Sequence, residues 1–214
     1  MDVAALISEL NAYGFTDIDS TVKVSAIQAS LRNVLYRKPW PFLEKVMTLT
    51  FDGTLAAPSN SPADLRAVMK IIDYTAGNPR RIHFKRTDDA EEELVLTNLG
   101  TPYVYYFEGS ALKVYEIPSA TQTLRLRYLR SAPVITDTST EAALLLPRDY
   151  HEALVYRSVV RLADMDDDND VAGRFDGLYE NVMGQMTEAL MSLQHDEPEF
   201  IHVIDPDDYD MGYY

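Results

Sequence analysis

The sequence predicts an α+β protein: a four-helix bundle with an inserted antiparallel β domain and an extended C-terminal arm. Apolar residues recur at helical spacing before residue 43 and after residue 146, whereas the stretch between them alternates as strands do. Two helical pairs separated by a β block can close into one bundle. The predicted segments are the first half of the bundle at 1–43, the β domain at 44–145, the second half at 146–195 and the arm at 196–214.

The helical segments are amphipathic, with apolar residues three and four positions apart on one face. Pro147 suits the first position of the third helix, because that position needs no backbone N–H donor. Gly173, Gly177 and Gly184 weaken the last helix, which predicts that another backbone passes close to it. The apolar stripes lie at 2–13, 24–35, 154–162 and 171–193.

A proline-flanked tryptophan marks the point where helical periodicity ends. Pro39 and Pro41 each forbid helix continuation and bias the preceding residue to extended geometry. Trp40, the only tryptophan, has a large apolar ring and is predicted to be buried where the helical and β parts meet. The predicted interdomain hinge is therefore Pro39, Trp40, Pro41 and Phe42 at the exit from the helices, with Pro147 at the return.

The middle of the chain is predicted to form about six strands, enough for a small sandwich or open barrel. Gly109-Ser110 lies between two of these strands as a two-residue hairpin turn. In the last strand Arg125 and Arg127 alternate with apolar residues, so the arginines are expected to face outward. The predicted strands are 46–52, 66–73, 81–86, 103–108, 111–117 and 123–129.

The net charge of −15 is concentrated near the C-terminus. Residues 164–214 contain 15 acidic residues and one basic residue, whereas residues 1–163 contain 19 acidic and 18 basic residues. Proteins that hold duplex DNA through its phosphates cluster Lys and Arg, so such binding is disfavoured. The absence of cysteine excludes disulfides and thiolate chemistry, and no apolar run approaches the ~18 residues of a membrane span. The acidic N-terminal region does not resemble a secretory signal, which favours a reducing compartment.

No catalytic or metal site is predicted. His83, His151, His195 and His202 form no metal-binding pair at helical spacing, and His151, at a helix start, is expected to be exposed. Residues 164–170 are rich in Asp, but in neither register do Gly and Glu occupy the positions that an EF-hand requires, so a solvated turn is predicted. The chain also lacks a P-loop, GxGxxG and GxSxG, and no cofactor is predicted.

Four short motifs follow one another in a specific order. They are Arg37…Trp40-Pro41-Phe42 at the helix exit, Pro62-Ala63-Asp64-Leu65-Arg66 entering the β block, Leu146-Pro147-Arg148-Asp149-Tyr150 opening a helix, and the acidic, tyrosine-rich end Asp208-Tyr209-Asp210-Met211-Gly212-Tyr213-Tyr214. This order, which covers nearly the whole chain, resembles phage head-to-tail adaptor proteins. The nearest members are the tail tubular A or gatekeeper-type adaptors of short-tailed phages.

The resemblance implies a structural virion protein with no catalysis and no cofactor. Such adaptors are made in the host cytoplasm and form a twelve-subunit ring beneath the portal protein at the head-tail junction. The ring extends the channel for DNA ejection and docks the tail nozzle protein and, in some phages, tail fibres. Double-stranded DNA would pass through without specific binding, and no membrane is involved.

The last 19 residues have the composition of a segment that folds on binding. Seven of them are acidic, none is Lys or Arg, and Pro198 and Pro206 interrupt any helix. Apolar and aromatic residues nevertheless recur along the segment, so we expect an arm that docks on a neighbouring subunit or on portal. The predicted anchors of this arm are Phe200, Ile204, Tyr209, Met211, Tyr213 and Tyr214.

Two functions from other classes remain open at this stage. A cytoplasmic regulatory binding module would form a stable dimer that ignores portal. A metal-dependent hydrolase using residues 164–170 would be stabilised against heat by divalent cations.

Overall fold

The computed structural model describes residues 1–75, 79–86 and 98–191, together with the backbone of residues 202–203. The described residues within 1–43 and 131–197 form one compact unit, which we call the helical unit. Those within 44–130 and 198–214 form a second, which we call the sheet unit.

The helical unit contains four α-helices that begin close to the predicted positions. The side chain of Asp2 accepts a hydrogen bond from the Ala5 backbone N–H, and Asp19 accepts one from the Thr21 N–H. Each carboxylate thereby caps backbone donors that have no partner within the helix. The helices are α1 (Val3–Ala12), α2 (Ser20–Tyr36), α3 (His151–Met165) and α4 (Asn169–Met191), with short 3-10 turns at Pro41–Leu43, Glu141–Leu144 and Arg148–Tyr150.

The predicted four-helix bundle with an inserted antiparallel domain is wrong, although the α+β class is correct. Helix α3 packs against each of the other three helices, whereas α4 packs mainly on α3. Apolar stripes define the buried face of each helix but not its partners. Helix α1, with 10 residues, is also less than half as long as the 23-residue α4 and could not match it along a bundle.

The sheet unit contains a curled, mixed sheet with the strand order β1-β8-β2-β3-β5-β6. Strands β3 and β5 pair in parallel, which contradicts the antiparallel prediction. Nineteen residues separate β3 from β5, and a connection of that length lets the chain return in the same direction. The strands are β1 (Glu44–Phe51), β2 (Leu65–Asp73), β3 (Arg80–Phe84), β4 (Leu99–Gly100), β5 (Val104–Glu108), β6 (Ala111–Tyr115), β7 (Ile117–Pro118), β8 (Gln122–Arg130) and β9 (His202–Val203).

The loop between β1 and β2 forms hydrogen bonds with both edge strands of the sheet, β1 and β6. The Asn60 side chain accepts from the Thr50 N–H at 2.8 Å and donates to the Thr48 carbonyl at 2.7 Å, so it pairs with the outer edge of β1 as a strand would. The Ala56 carbonyl accepts from the Val114 N–H of β6 at 2.9 Å. One loop therefore satisfies backbone groups on both edge strands, which otherwise would be free to pair with other chains.

The two faces of the sheet differ in polarity, as the alternation in β8 predicted. Leu124, Leu126 and Tyr128 are buried in the core, whereas Arg125 and Arg127 are exposed. The core also receives apolar side chains from β1, β2, β3, β5 and β6.

No other backbone among the described residues lies close to the glycines of α4. Gly173, Gly177 and Gly184 are exposed, and a Cβ added to any of them would meet nothing within 4 Å. The expectation of a close backbone approach is therefore wrong for the described part of the chain. In a helix these glycines remain a local cost of up to ~1 kcal/mol each relative to alanine.

Two buried tyrosines in the sheet core provide a matched test of hydrogen bonding. Tyr105 and Tyr128 are both fully buried, and burial raises the pKa of each phenol. The Tyr128 hydroxyl donates to Asp64 Oδ1 at 2.8 Å, whereas the Tyr105 hydroxyl makes no hydrogen bond to any residue that the structure describes.

We expect Tyr105→Phe to leave the free energy of unfolding unchanged or to raise it by up to ~1 kcal/mol, because it removes a buried hydroxyl without a partner. Tyr128→Phe should lower it by ~1–2 kcal/mol, because a hydrogen bond to a carboxylate is lost. Urea unfolding of both variants measures the difference. Equal losses in the two variants would show that the Asp64 contact contributes nothing to stability.

Candidate functional site

The predicted hinge begins where α2 ends, and Trp40 caps that end. The Trp40 indole Nε1 donates to the Val34 carbonyl at 2.8 Å, one of the last four carbonyls of α2, which lack the regular intrahelical partner. Trp40 is fully buried and stacks on Phe42 with ring centroids 6.1 Å apart. The predicted burial of Trp40 is thus confirmed, whereas the role of Pro39, Trp40, Pro41 and Phe42 as an interdomain hinge stays a prediction.

A charged and aromatic cluster fastens the C-terminal end of α2 to α4. Arg37 donates to both carboxylate oxygens of Glu180, at 2.8 and 2.7 Å, which raises the pKa of Arg37 and lowers the pKa of Glu180. The guanidinium groups of Arg37 and Arg157 lie 5.7 and 5.4 Å from the ring centre of Tyr179. The Tyr179 hydroxyl donates to Asn33 at 2.7 Å. This cluster holds one geometry through paired, directional contacts.

Pro147, the predicted return point of the hinge, precedes the 3-10 turn Arg148–Tyr150 and not the α-helix itself. His151, the first residue of α3, is 1% exposed, so its predicted exposure is wrong. Its Nε2 lies 3.0 Å from the Leu146 carbonyl and its Nδ1 lies 2.8 Å from the amine of Met1. Because the carbonyl can only accept, Nε2 carries the proton and Nδ1 accepts from the amine. Burial lowers the pKa of His151 and favours this neutral form.

The outer face of the sheet carries a row of positive charge that we call the basic face. It consists of Lys70 on β2, Arg81 on β3, and Arg125 and Arg127 on β8. Lys70 lies directly across from Arg127, and Ile72 lies across from both Arg125 and Arg81. Arg127 donates to Glu44 on β1, with its Nε 2.9 Å from Oε2. Like charges on adjacent strands are unfavourable, and Glu44 offsets part of this repulsion at Arg127.

Sequence alternation predicted the outward orientation of Arg125 and Arg127, but the row as a whole was missed. Lys70 and Arg81 join it only through cross-strand register, and the sequence does not specify register where connections are long. Residues 44–130 contain eleven acidic and eleven basic residues, so their net charge also conceals the row.

Strand β2 has one edge that two different strands share. Along one side it pairs with β8 from Leu65 to Asp73. On the other side β3 covers Ile71–Asp73, and β9 pairs with the earlier positions, Ala67 with Val203 and Val68 with His202. Both Ala67 and Val68 are fully buried. This edge is therefore a place where an extended segment adds to the sheet.

Asp64, from the motif that enters β2, has a structural role: it contacts side chains of two other strands. It accepts the hydroxyl of Tyr128 and lies 3.6 Å from the Lys45 ammonium, so it links the start of β2 to β8 and β1. The motif thus fixes strand order locally.

The Asp-rich turn at 164–170 is solvent-exposed, as predicted. Asp168 accepts from the Val171 N–H and caps α4. Within the described ranges, no group of three or more His, Asp or Glu side chains is placed to hold a metal ion. A groove of about 520 Å³ lies between α2 and α3, lined among others by Arg157, Arg161 and Met165.

The predicted anchors of the C-terminal arm lie outside the described residues. These are Phe200, Ile204, Tyr209, Met211, Tyr213 and Tyr214. Only the backbone of residues 202–203, in β9, is described in that segment.

Comparison with known families finds a match over most of the chain. The family described as SU10 adaptor protein matches residues 1–198 and so reaches into both units. No curated protein matches the chain in sequence. In the part of the chain that the structure describes, each helix is too short or too polar to cross a lipid bilayer.

We expect Trp40→Ala to lower the free energy of unfolding by ~3–5 kcal/mol, because a fully buried ring is lost. Trp40→Phe keeps most of the apolar ring but removes the donor to Val34, and should cost ~1–3 kcal/mol. Urea unfolding separates the packing contribution from the hydrogen bond. A loss under ~1 kcal/mol for Trp40→Ala would contradict a core role.

The stability of the chain should fall as pH drops below ~6.5, the ordinary pKa of histidine. Because the folded-state pKa of His151 is lowered, the unfolded chain takes up a proton that the folded chain does not, and each pH unit costs at most ~1.4 kcal/mol until the folded state also protonates. Urea unfolding at pH 7.5 and 5.5 measures this loss. His151→Gln should flatten the dependence, and an equal slope in that variant would assign the loss to other groups.

Proposed function

The chain belongs to the SU10 adaptor protein family, a family of phage head-to-tail adaptors, and we propose that copies of it assemble into a ring between the portal protein and the tail nozzle. In this role the chain is a structural connector of the virion, without catalysis or a cofactor. The family match carries the proposal, because it covers residues 1–198 and so extends into both compact units; it is not confined to one short motif.

A closed ring requires two different, complementary surfaces on every subunit. The chain carries two regions of opposite charge. The basic face holds Lys70, Arg81, Arg125 and Arg127, whereas residues 164–214 have a net charge of −14. Contact between the basic face of one copy and the acidic region of the next would relieve repulsion on both sides. These charges support head-to-tail contact between identical copies.

The same charges support a conduit that does not retain DNA. A chain with a net charge of −15 repels the phosphate backbone over a Debye length of ~8–10 Å. The basic face would attract phosphates if it lined the channel, so we place it against a neighbouring copy. Double-stranded DNA would then pass the ring without specific binding.

The C-terminal residues 196–214 serve in this proposal as a partner-binding arm. Its aromatic and apolar side chains would anchor the segment, and its seven acidic residues would meet basic surfaces of portal or of another copy. The nozzle and, in some phages, the fibres would bind elsewhere on the ring.

We expect the isolated full-length protein to be a monomer at moderate salt and to form a ring when the portal protein of the same phage is added. Repulsion between copies of net charge −15 opposes unaided assembly, and portal would supply the missing binding free energy. Light scattering measures the mass of the isolated protein, and electron microscopy detects the ring. A closed ring without portal would contradict templating, and absence of a ring with portal would contradict the proposed function.

Arg125→Glu should weaken ring formation on portal at least tenfold, because it inserts a carboxylate into the basic face. Arg32→Glu is the matched control, since it makes the same charge change at an exposed position of α2 outside the basic face. Equal behaviour of the two variants would remove the basic face from the interface.

A further inference from the structure

We infer that the edge of β2 at Ala67 and Val68 is a strand-exchange site, occupied in the assembled ring by residues 202–203 of a second copy of this chain. The inference rests on the proposed ring and names the segment that would join one copy to the next. The partner is therefore an extended, acidic and aromatic peptide that belongs to the chain itself.

The receiving edge has a defined length and register. Strand β3 covers β2 only from Ile71 to Asp73, which leaves backbone groups beside Ala67 and Val68 for another strand. In the single chain, β9 meets them in antiparallel register. Because a strand edge is read through backbone hydrogen bonds, the same peptide from another copy would fit without new geometry.

The donor segment has the composition of a strand. Ile201, His202, Val203 and Ile204 form a run rich in β-branched residues, which Phe200 precedes and Asp205 follows. Ten residues, 192–201, connect α4 to β9. An extended chain of ten residues spans at most about 33–36 Å, which is comparable with the width of a small domain. The segment is thus long enough to reach an adjacent copy.

Exchange between copies changes the connectivity but not the contacts. The pairings of Ala67 with Val203 and of Val68 with His202 are the same whether the donor is the same chain or the next one. Domain exchange of this kind is a low-cost route to association, since it creates no new interface to optimise. A ring holds donor and acceptor of adjacent copies at an effective concentration in the millimolar range, so exchange can compete with pairing inside one chain only after assembly.

The charges near the β2 edge also favour the acidic C-terminal segment as the strand that occupies it. Lys70 lies two residues beyond Val68 on β2, is exposed and is part of the basic face, whereas residues 196–214 carry seven acidic residues and no Lys or Arg. An acidic segment that pairs with β2 therefore brings its charge near the positive row. Donation to the next copy would connect the acidic region of one subunit with the basic face of another.

Disulfide trapping tests the exchange directly, because the natural chain has no cysteine. Ala67→Cys and Val203→Cys are made in separate full-length chains, mixed, and assembled on portal before mild oxidation. Directly opposed residues of antiparallel strands have the spacing that a disulfide needs. A disulfide that joins one variant to the other reports that the segment of one copy has reached β2 of another, and samples of each variant alone measure the dimers that like chains form by collision.

We expect trans-linked dimers in the ring to exceed those in the isolated mixture at ~1 μM by about 10²–10³-fold. Val68→Cys with His202→Cys provides a second pair in case the first does not fold. Thr48→Cys with Val203→Cys is the collision control, because Thr48 is exposed on β1 and two strands away from β2.

The outcomes separate this inference from the proposed function. Rings on portal with trans-linked dimers well above the collision control support both. Rings with no trans link for either pair, while the double variant Ala67→Cys/Val203→Cys forms its link within one chain, overturn the exchange and leave the adaptor role intact. Failure of the unmodified protein to form a ring on portal overturns the proposed function and the exchange with it.

Discussion

The end of α2 imposes the constraint on which the helical unit depends. A helix leaves its last carbonyls without regular partners, and Pro39 cannot donate a hydrogen bond to any of them. The chain meets this requirement with a side chain, since the Trp40 indole donates to Val34 while its ring is buried. One residue therefore ends the helix, satisfies a buried polar group and fills the core. The bidentate contact between Arg37 and Glu180 then fastens the same helix end to α4.

In the sheet unit, side-chain and backbone groups of one loop likewise satisfy backbone groups that no neighbouring strand reaches. Asn60 pairs with β1 and Ala56 with β6, so the two end strands of the sheet are partly covered by the connection that leaves β1. The edge of β2 differs, because it receives a strand from the distant C-terminal region. An edge that an adjoining loop covers is protected against pairing with other chains. An edge that pairs with a segment distant in sequence, as β2 does with β9, could pair with the same segment of another copy.

Charge is distributed so that identical copies can attract one another. The basic face and the acidic C-terminal quarter belong to the same chain, and the ring that we propose would bring these different regions of adjacent copies into contact. The total charge of −15 limits association in the absence of a partner, so attraction between local surfaces competes with repulsion between whole molecules. Salt screens both contributions over ~10 Å, so the assembly that we propose would depend on ionic strength as well as on portal.

The sequence by itself determined the α+β class, the positions of the four described helices and of six of the nine described strands to within a few residues, the burial of Trp40 and the outward orientation of Arg125 and Arg127. These features follow from local periodicity and from proline chemistry, which act over a few residues. Tertiary structure alone decided which helices pack together, the parallel pairing of β3 with β5, the burial of His151 and the register that joins Lys70 and Arg81 to the basic face. Each of these depends on contacts between residues far apart in the chain, where long connections leave several arrangements compatible with the same pattern of apolar residues.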